Sequence, residues 1–366
     1  MPARRMMIGV DLARVYAAAD AEVLVRPLCW GDEVEVDEVN EEHVRLKTTT
    51  FETQSDGSIM PVPVVGFVVP PASSGIEPSE VVVDKEEARG ILKVDFVDVQ
   101  QGDASVMETP GGKVVLIDGG DNQLFARYLA NRYRGTTEAV PRDVECLLVS
   151  HGDADHFAGL VEIKDSETHE SARKRLFIRP RRVYHNGLVK RPSDTKEAQS
   201  LGPTATEGDT TVITGLETDL LAVEDSEMNA PFVRWKRALE AYHARSPVEF
   251  LRLQKGDGEK AFSFLADEGI EVEVLGPIPT TLSDGTSGLK FLGEPAKGPR
   301  VGHHSLLDAE AERDRFTGMS ASHTINGHSV VLRVRYGAFR FLFAGDLNEE
   351  SETELAEAHG RGGLAL

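Results

Sequence analysis

The segment "CLLVSHGDADHFAGL", residues 146–160, decides how the rest of the chain is read. Cys146 to Val149 is a short apolar run of the kind that forms a buried strand. Directly behind it, His151, Asp153, Asp155 and His156 crowd into six positions. Such a cluster is either a metal site or a solvated polar turn. Alternate residues of an extended segment point the same way. His151 and Asp153 can therefore grip one ion, while Asp155 and His156 serve a neighbouring ion from the turn that follows.

Three further polar clusters stand at the ends of apolar runs. They are Asp118 in "KVVLIDGG" (113–120), the stretch "SHTINGHS" (322–329), and Asp346 in "RFLFAGD" (340–346). Side chains at successive strand ends converge on one edge of a sheet, and carboxylate oxygen with imidazole nitrogen suits divalent metals.

The organisation around these clusters reads as follows. Residues 1–75 are rich in valine alternating with acids, as at Val34 and Val36 and again at Val44 and Leu46, the period-2 pattern of half-buried strands. This predicts a small β-domain, SH3-like in label. Residues 76–90 read as a linker, following the proline- and serine-rich "PPASSGIEPSE" (70–80). From residue 91 the pattern becomes strand, hairpin, strand, helix, strand. Asp121 or Asn122 caps the helix, Leu124, Phe125, Tyr128 and Leu129 form its apolar face, and Gly135 closes it. Residues 186–248 form a variable insert containing a helix over 229–245, whose stripe Phe232, Trp235, Leu239 and Tyr242 reads as core. A strand at 269–277, a polar loop over 278–325, two alternating strands within 328–346 and an acid-started helix complete the chain.

Bulk properties restrict the partners. The chain has 366 residues, 40% hydrophobic and 28% charged, which is globular in character. Its 61 acidic against 40 basic residues give a net charge of −21, which opposes non-specific attraction to nucleic acid. No apolar run approaches a membrane span, and the acid within the first apolar stretch argues against a signal peptide. The expected location is cytoplasmic, with no membrane partner. Cys29 and Cys146 read as small buried hydrophobes, without a disulfide framework.

Taken together, the motifs resemble those of the metallo-β-lactamase superfamily. "SHGDADHFAGL" is similar to its HxHxDH metal motif, "VVLIDGG" to its first aspartate motif and "RFLFAGD" to its bridging-aspartate motif. The finer resemblance is to the ComEC-like branch, the metallohydrolase domain of DNA-uptake competence proteins. There "QQGDAS" (100–105) and "NGHSVVL" (326–332) stand in for that branch's patterns. The resemblance implies an α/β fold, a four-layered αββα sandwich over residues 91–366. It implies two divalent ions, zinc or manganese, with magnesium also admissible. His151 and Asp153 would bind the first, Asp153 replacing the usual histidine; Asp155 and His156 would bind the second. Asp346 would bridge them, and Asp118 would hold the metal loop. His328 is an even choice between ligand and loop residue, while His323 and His185 are weaker candidates. His303 and His304 read as loop residues, Asp103 as a turn residue, and His43, His169 and His243 as surface. The resemblance also implies a further strand and an "HHGS"-type turn beyond the last residue, so the domain is expected to be truncated at its C-terminus.

Two ions roughly 3.5–4 Å apart can hold a hydroxide and clamp a phosphoryl or carbonyl oxygen. The leading expectation is hydrolysis of a phosphodiester, either nucleic acid or a small or cyclic one, with Asp155 or Asp346 orienting the water. A non-catalytic scaffold whose N-terminal domain recruits a protein partner is the alternative from another class. Lactam or thioester hydrolysis is the third reading.

Overall fold

The structure, a computed structural model, describes residues 4–55, 59–84, 90–192, 200–292 and 319–360. His303 and His304 lie outside the described residues. The N-terminal part is one antiparallel sheet of seven strands: β1 (Arg4–Ile8), β2 (Leu12–Tyr16), β3 (Leu24–Cys29), β4 (Glu33–Val39), β5 (Val44–Thr53), β6 (Ile59–Val68) and β7 (Val82–Asp84). Their order is β3-β2-β6-β5-β4-β1-β7. The alternation noted at Val34, Val36, Val44 and Leu46 places all four in a core with Ile8, Val15, Leu28 and Val68. The linker expected over 76–90 is corrected in part. Val82 pairs with Ile8, and Val81 and Val82 are buried, because the edge of β1 still offers free backbone groups that this segment satisfies.

The remainder is built on a six-stranded mixed sheet. Its strands are β8 (Lys93–Phe96), β9 (Ala104–Glu108), β10 (Val114–Asp118), β12 (Cys146–Leu148), β14 (Arg182–His185) and β17 (Glu249–Arg252), with β11 (Arg142–Val144) and β13 (Ile178–Pro180) forming a small parallel pair beside it. β10, β12, β14 and β17 run parallel, and β9 and β8 return antiparallel. The alternation along β10 assigns its faces. Val114 and Leu116 join a core under α1 (Leu124–Arg132), α2 (Ala154–Ser166) and α3 (Ala230–Arg245). Val115 and Ile117 face the other way, toward β18 (Ile270–Gly276), β21 (Val331–Tyr336) and β22 (Phe339–Phe343). Both faces of this sheet are therefore covered, as parallel strands require.

The helices form where the sequence places them. Asn122 accepts a bond from the Leu124 N–H at 2.8 Å, and Phe125 and Leu129 are buried. Asn229 caps α3 by accepting from the Phe232 N–H at 3.1 Å, and Phe232, Trp235, Leu239 and Tyr242 are all buried. Phe157 of α2 meets Phe232 with ring centroids 5.0 Å apart, so α3 belongs to the main core. The region read as a variable insert also contributes β15 (Thr204–Glu207) and β16 (Thr210–Ile213) to a sheet with β19 (Thr280–Thr281) and β20 (Ser287–Lys290). The polar loop expected over 278–325 is thus partly strand, and it ends in a helix, Met319–Gly327. The terminal helix, Glu349–His359, sets Leu355 against Leu275 and Val331 on the outer side of the three-stranded sheet.

Among the described residues no helix is long and apolar enough to cross a membrane. Leu147 of β12, fully buried between α2 and the sheet, carries the polar segment behind it. Leu147→Ala should lower unfolding free energy by about 2–5 kcal/mol, read from urea denaturation with an unchanged slope.

Candidate metal centre

β12 delivers Ser150 and His151 to the edge of the sheet, and α2 begins three residues on. Two close approaches hold that helix start in place. A side-chain carbon on Gly159 would lie 1.8 Å from the Gly119 carbonyl oxygen, so only glycine permits this contact. The Gly119 N–H donates to the His156 carbonyl and the Gly159 N–H to the Gly120 carbonyl, both at 2.8 Å. The "DGG" after β10 is in this way the seat of the "DHFAG" that follows β12. The Val330 N–H donates to the Ser150 carbonyl at 2.8 Å, joining the second sheet to the same edge.

Asp118 sits beneath the cluster, 2% exposed and with φ at +57°. One oxygen accepts the Ser150 N–H at 2.7 Å. The other accepts the Ser150 hydroxyl at 2.6 Å and lies 2.9 Å from His156 Nδ1. This bond fixes the His156 ring and turns Nε2 toward Asp346 Oδ1, 3.5 Å away. His151 Nδ1 has the hydroxyls of Ser150 and Ser329 at 3.0 and 3.4 Å. The two imidazoles lie side by side with centroids 3.9 Å apart and planes tilted by 49°.

The result is a donor set. Ligand atoms of His151, His156 and Asp346 all lie within 4.8 Å of one another. Nε2 of His151 and Nε2 of His156 are both buried without a hydrogen-bond partner. Buried polar atoms are rarely left so. Two convergent imidazole nitrogens and one half-exposed carboxylate suit a divalent ion with coordination positions open to solvent. Asp103, Asp118 and His156 form a second convergent group.

Electrostatics divides the two rings. Burial, and then the neighbouring charge on His156, push the His151 pKa down to about 3. Burial also disfavours the charge on His156, but its bond to Asp118 and the facing carboxylate of Asp346 outweigh that and raise it to about 11. The Asp346 pKa is lowered, first by His156. Burial raises the pKa of Asp103, which lies among the charges of His156, Asp118, Asp346 and Asp155.

The remaining sequence candidates are placed differently. Asp153 is not in the convergent group; its Oδ1 is 2.5 Å from Lys190 Nζ. Asp155 is also outside it, at the first turn of α2 with Gln101 Nε2 at 3.5 Å. His328 is corrected as a ligand candidate: its Nε2 is bound to the Lys290 carbonyl at 2.6 Å, and burial lowers its pKa to about 4. His185 is likewise committed elsewhere, to the Thr218 carbonyl at 3.2 Å and the Gly187 N–H at 3.0 Å. His323 faces Glu350 at 3.6 Å and Asn348 at 3.3 Å. Of the expected surface histidines, His243 is exposed, whereas His43 and His169 are half-buried. Ser150, Ser329, Lys190 and Asp103 escaped the sequence reading as site residues. Only "GDAS", "VSH" and the serine of "NGHSVVL" offered a signal, and a serine beside a histidine is too common to weigh.

Comparison with known proteins agrees with this geometry. Residues 97–214 match the family model described as the metallo-beta-lactamase superfamily, a span that holds Asp118 and the whole 151–156 cluster and stops short of Asp346. Residues 97–214 are therefore similar to a metallo-beta-lactamase superfamily domain. Members of that superfamily are mostly hydrolases and typically bind divalent metals, usually zinc. No curated protein and no solved structure matches the chain.

An ion entering this group must displace a proton from His156 Nε2, while His151 is already neutral. Since the His156 value lies above neutral pH, metal affinity should rise about tenfold per pH unit between about pH 6 and 9. Calorimetry in buffers of different ionisation enthalpy should show about one proton released per ion at pH 7.

Proposed function

We propose that this chain is a metal-dependent hydrolase acting on a phosphodiester, of the ComEC-like kind. The observation that carries the reading is the pair of buried, unpartnered imidazole nitrogens facing Asp346. The stack of α1–α3, six-stranded sheet, three-stranded sheet and terminal helix supports the four-layered αββα sandwich. The seven-stranded antiparallel N-terminal sheet, with a hydrophobic core of its own, is compatible with an SH3-like recruiting module.

His151, His156 and Asp346 would hold the metal, which when bound acts as a Lewis acid on water and on a phosphoryl or carbonyl oxygen. The chain's own residues do the rest. Asp118 keeps the His156 proton on Nδ1, leaving Nε2 as the donor. Ser150 and Ser329 hold His151 through Nδ1 in the same way. Asp155, partly exposed beside Gln101, offers a carboxylate for orienting water. The charge of −21 favours a small or cyclic phosphodiester over long nucleic acid.

The alternative is a non-catalytic metal-binding module with a partner-recruiting N-terminal domain. It is favoured by the capture of Asp153 by Lys190, which leaves fewer ligands than the resemblance implies. A substrate panel decides between them. Bis(p-nitrophenyl) phosphate, cyclic dinucleotides, single-stranded DNA, a chromogenic lactam and a thioester are incubated with zinc- or manganese-loaded protein. The expected outcome is phosphodiester turnover that falls by at least about 100-fold in His156→Ala and in Asp346→Asn. Metal-loaded protein that turns over none of the substrates overturns the hydrolase reading, and turnover of the lactam or thioester alone overturns the phosphodiester.

A further inference from the structure

Asp153 is the residue of the cluster whose chemistry the site leaves unused. Its carboxylate is largely buried, with 19% of the side chain exposed, and Lys190 Nζ sits 2.5 Å from Oδ1. Lys190 is itself held: Nζ donates to the Ser322 hydroxyl at 3.3 Å, from the helix Met319–Gly327. One turn further along that helix, Asn326 covers the other side. In the amide orientation that satisfies both of its ends, its nitrogen donates to Asp153 Oδ2 at 3.2 Å and to the Ser322 carbonyl at 2.9 Å. Both oxygens of Asp153 thus face donors. The charge of Lys190 also reaches the neighbouring ring, where it helps hold His151 neutral.

A divalent ion beside Asp153 would have to share this space with an ammonium, without gaining an unoccupied carboxylate in return. Like charges at such separations repel strongly in a buried site. In the group of Asp103, Asp118 and His156, both oxygens of Asp118 are already taken by Ser150 and His156 Nδ1. We infer that the Lys190 ammonium takes the place of a second metal ion beside Asp153, so that this chain binds a single divalent cation, at His151, His156 and Asp346. The inference rests on the proposed metal centre and sets its stoichiometry. Lys190 is a positioning residue here: it neutralises Asp153 and keeps that carboxylate out of the ligand set.

The test counts ions rather than turnover. The full chain is stripped of metal and equilibrated with excess zinc or manganese. Free ion is then removed, and bound ions per chain are read by native mass spectrometry and elemental analysis. Wild type is expected to hold one ion, Lys190→Arg one, and Lys190→Met two. Asp153→Asn is expected to keep one ion with affinity within about threefold of wild type, since Asp153 is not a ligand; thermal melts confirm that each variant is folded. Two ions in wild type, no second ion in folded Lys190→Met, or loss of the ion in folded Asp153→Asn overturns the inference while leaving the metal centre in place. No ion in wild type or in Lys190→Met overturns the metal centre itself, and the inference with it.

Discussion

The buried carboxylate of Asp118 is the constraint on which the site depends. It has three donors: the Ser150 N–H, the Ser150 hydroxyl and His156 Nδ1. Its backbone stands at φ +57°, a conformation that costs a non-glycine residue about 1–3 kcal/mol. Hydrogen bonds to a charged group are each worth about 1.5–3 kcal/mol, so three of them outweigh the strain. Without Asp118, the loop behind β12 would lose the anchor of its first residue and the orientation of its last histidine together. The strain is compensated because one side chain ties two parallel strands and a helix start to a single point.

That point is reinforced from both sheets. Gly159 lets α2 descend onto the Gly119 carbonyl, which sets His156 directly over Asp118. From the other side, the Val330 N–H docks on the Ser150 carbonyl, and the return through β21 and β22 brings Asp346 to within 3.5 Å of His156. Residues almost two hundred positions apart meet because two hydrophobic cores, one on each face of the six-stranded sheet, fix the separation between its edge and the second sheet.

Much of this arrangement was legible before any coordinates. Period-2 alternation in β4, β5, β18 and β21 announces strands with two distinct faces, the continuous apolar run of β10 announces a strand buried on both, and the stripe Phe232, Trp235, Leu239 and Tyr242 announces a packed helix face. The residues that converge, His151, His156 and Asp346, stand in short polar segments directly behind apolar strands, where the alternation gives them no packing reason to be. What escaped has physical causes. His328 sits in a motif that looks like a ligand, yet its ring is drawn to the Lys290 carbonyl, a backbone acceptor that no side-chain pattern records. Strand β7 escaped because three residues behind a proline-rich stretch are too few to carry a periodicity, while their pairing answers the open edge of β1. Lys190 escaped because a lysine in "LVKRP" (188–192) carries no sign of the acid it will meet.

The capture of Asp153 changes the chemistry of the centre as well as its charge. Read from sequence, aspartate in place of a histidine makes the first site richer in hard oxygen, which suits manganese or magnesium. With Asp153 turned to Lys190, the convergent donors are two imidazole nitrogens and one carboxylate. Magnesium prefers oxygen and octahedral order, whereas imidazole suits zinc and other borderline ions. The hardening influence of the extra aspartate is cancelled by the ammonium beside it, and the donor set that is left is softer than the motif implies. A substitution that looks in the sequence like a change of metal preference therefore becomes, in three dimensions, a change in how many ligands the site presents.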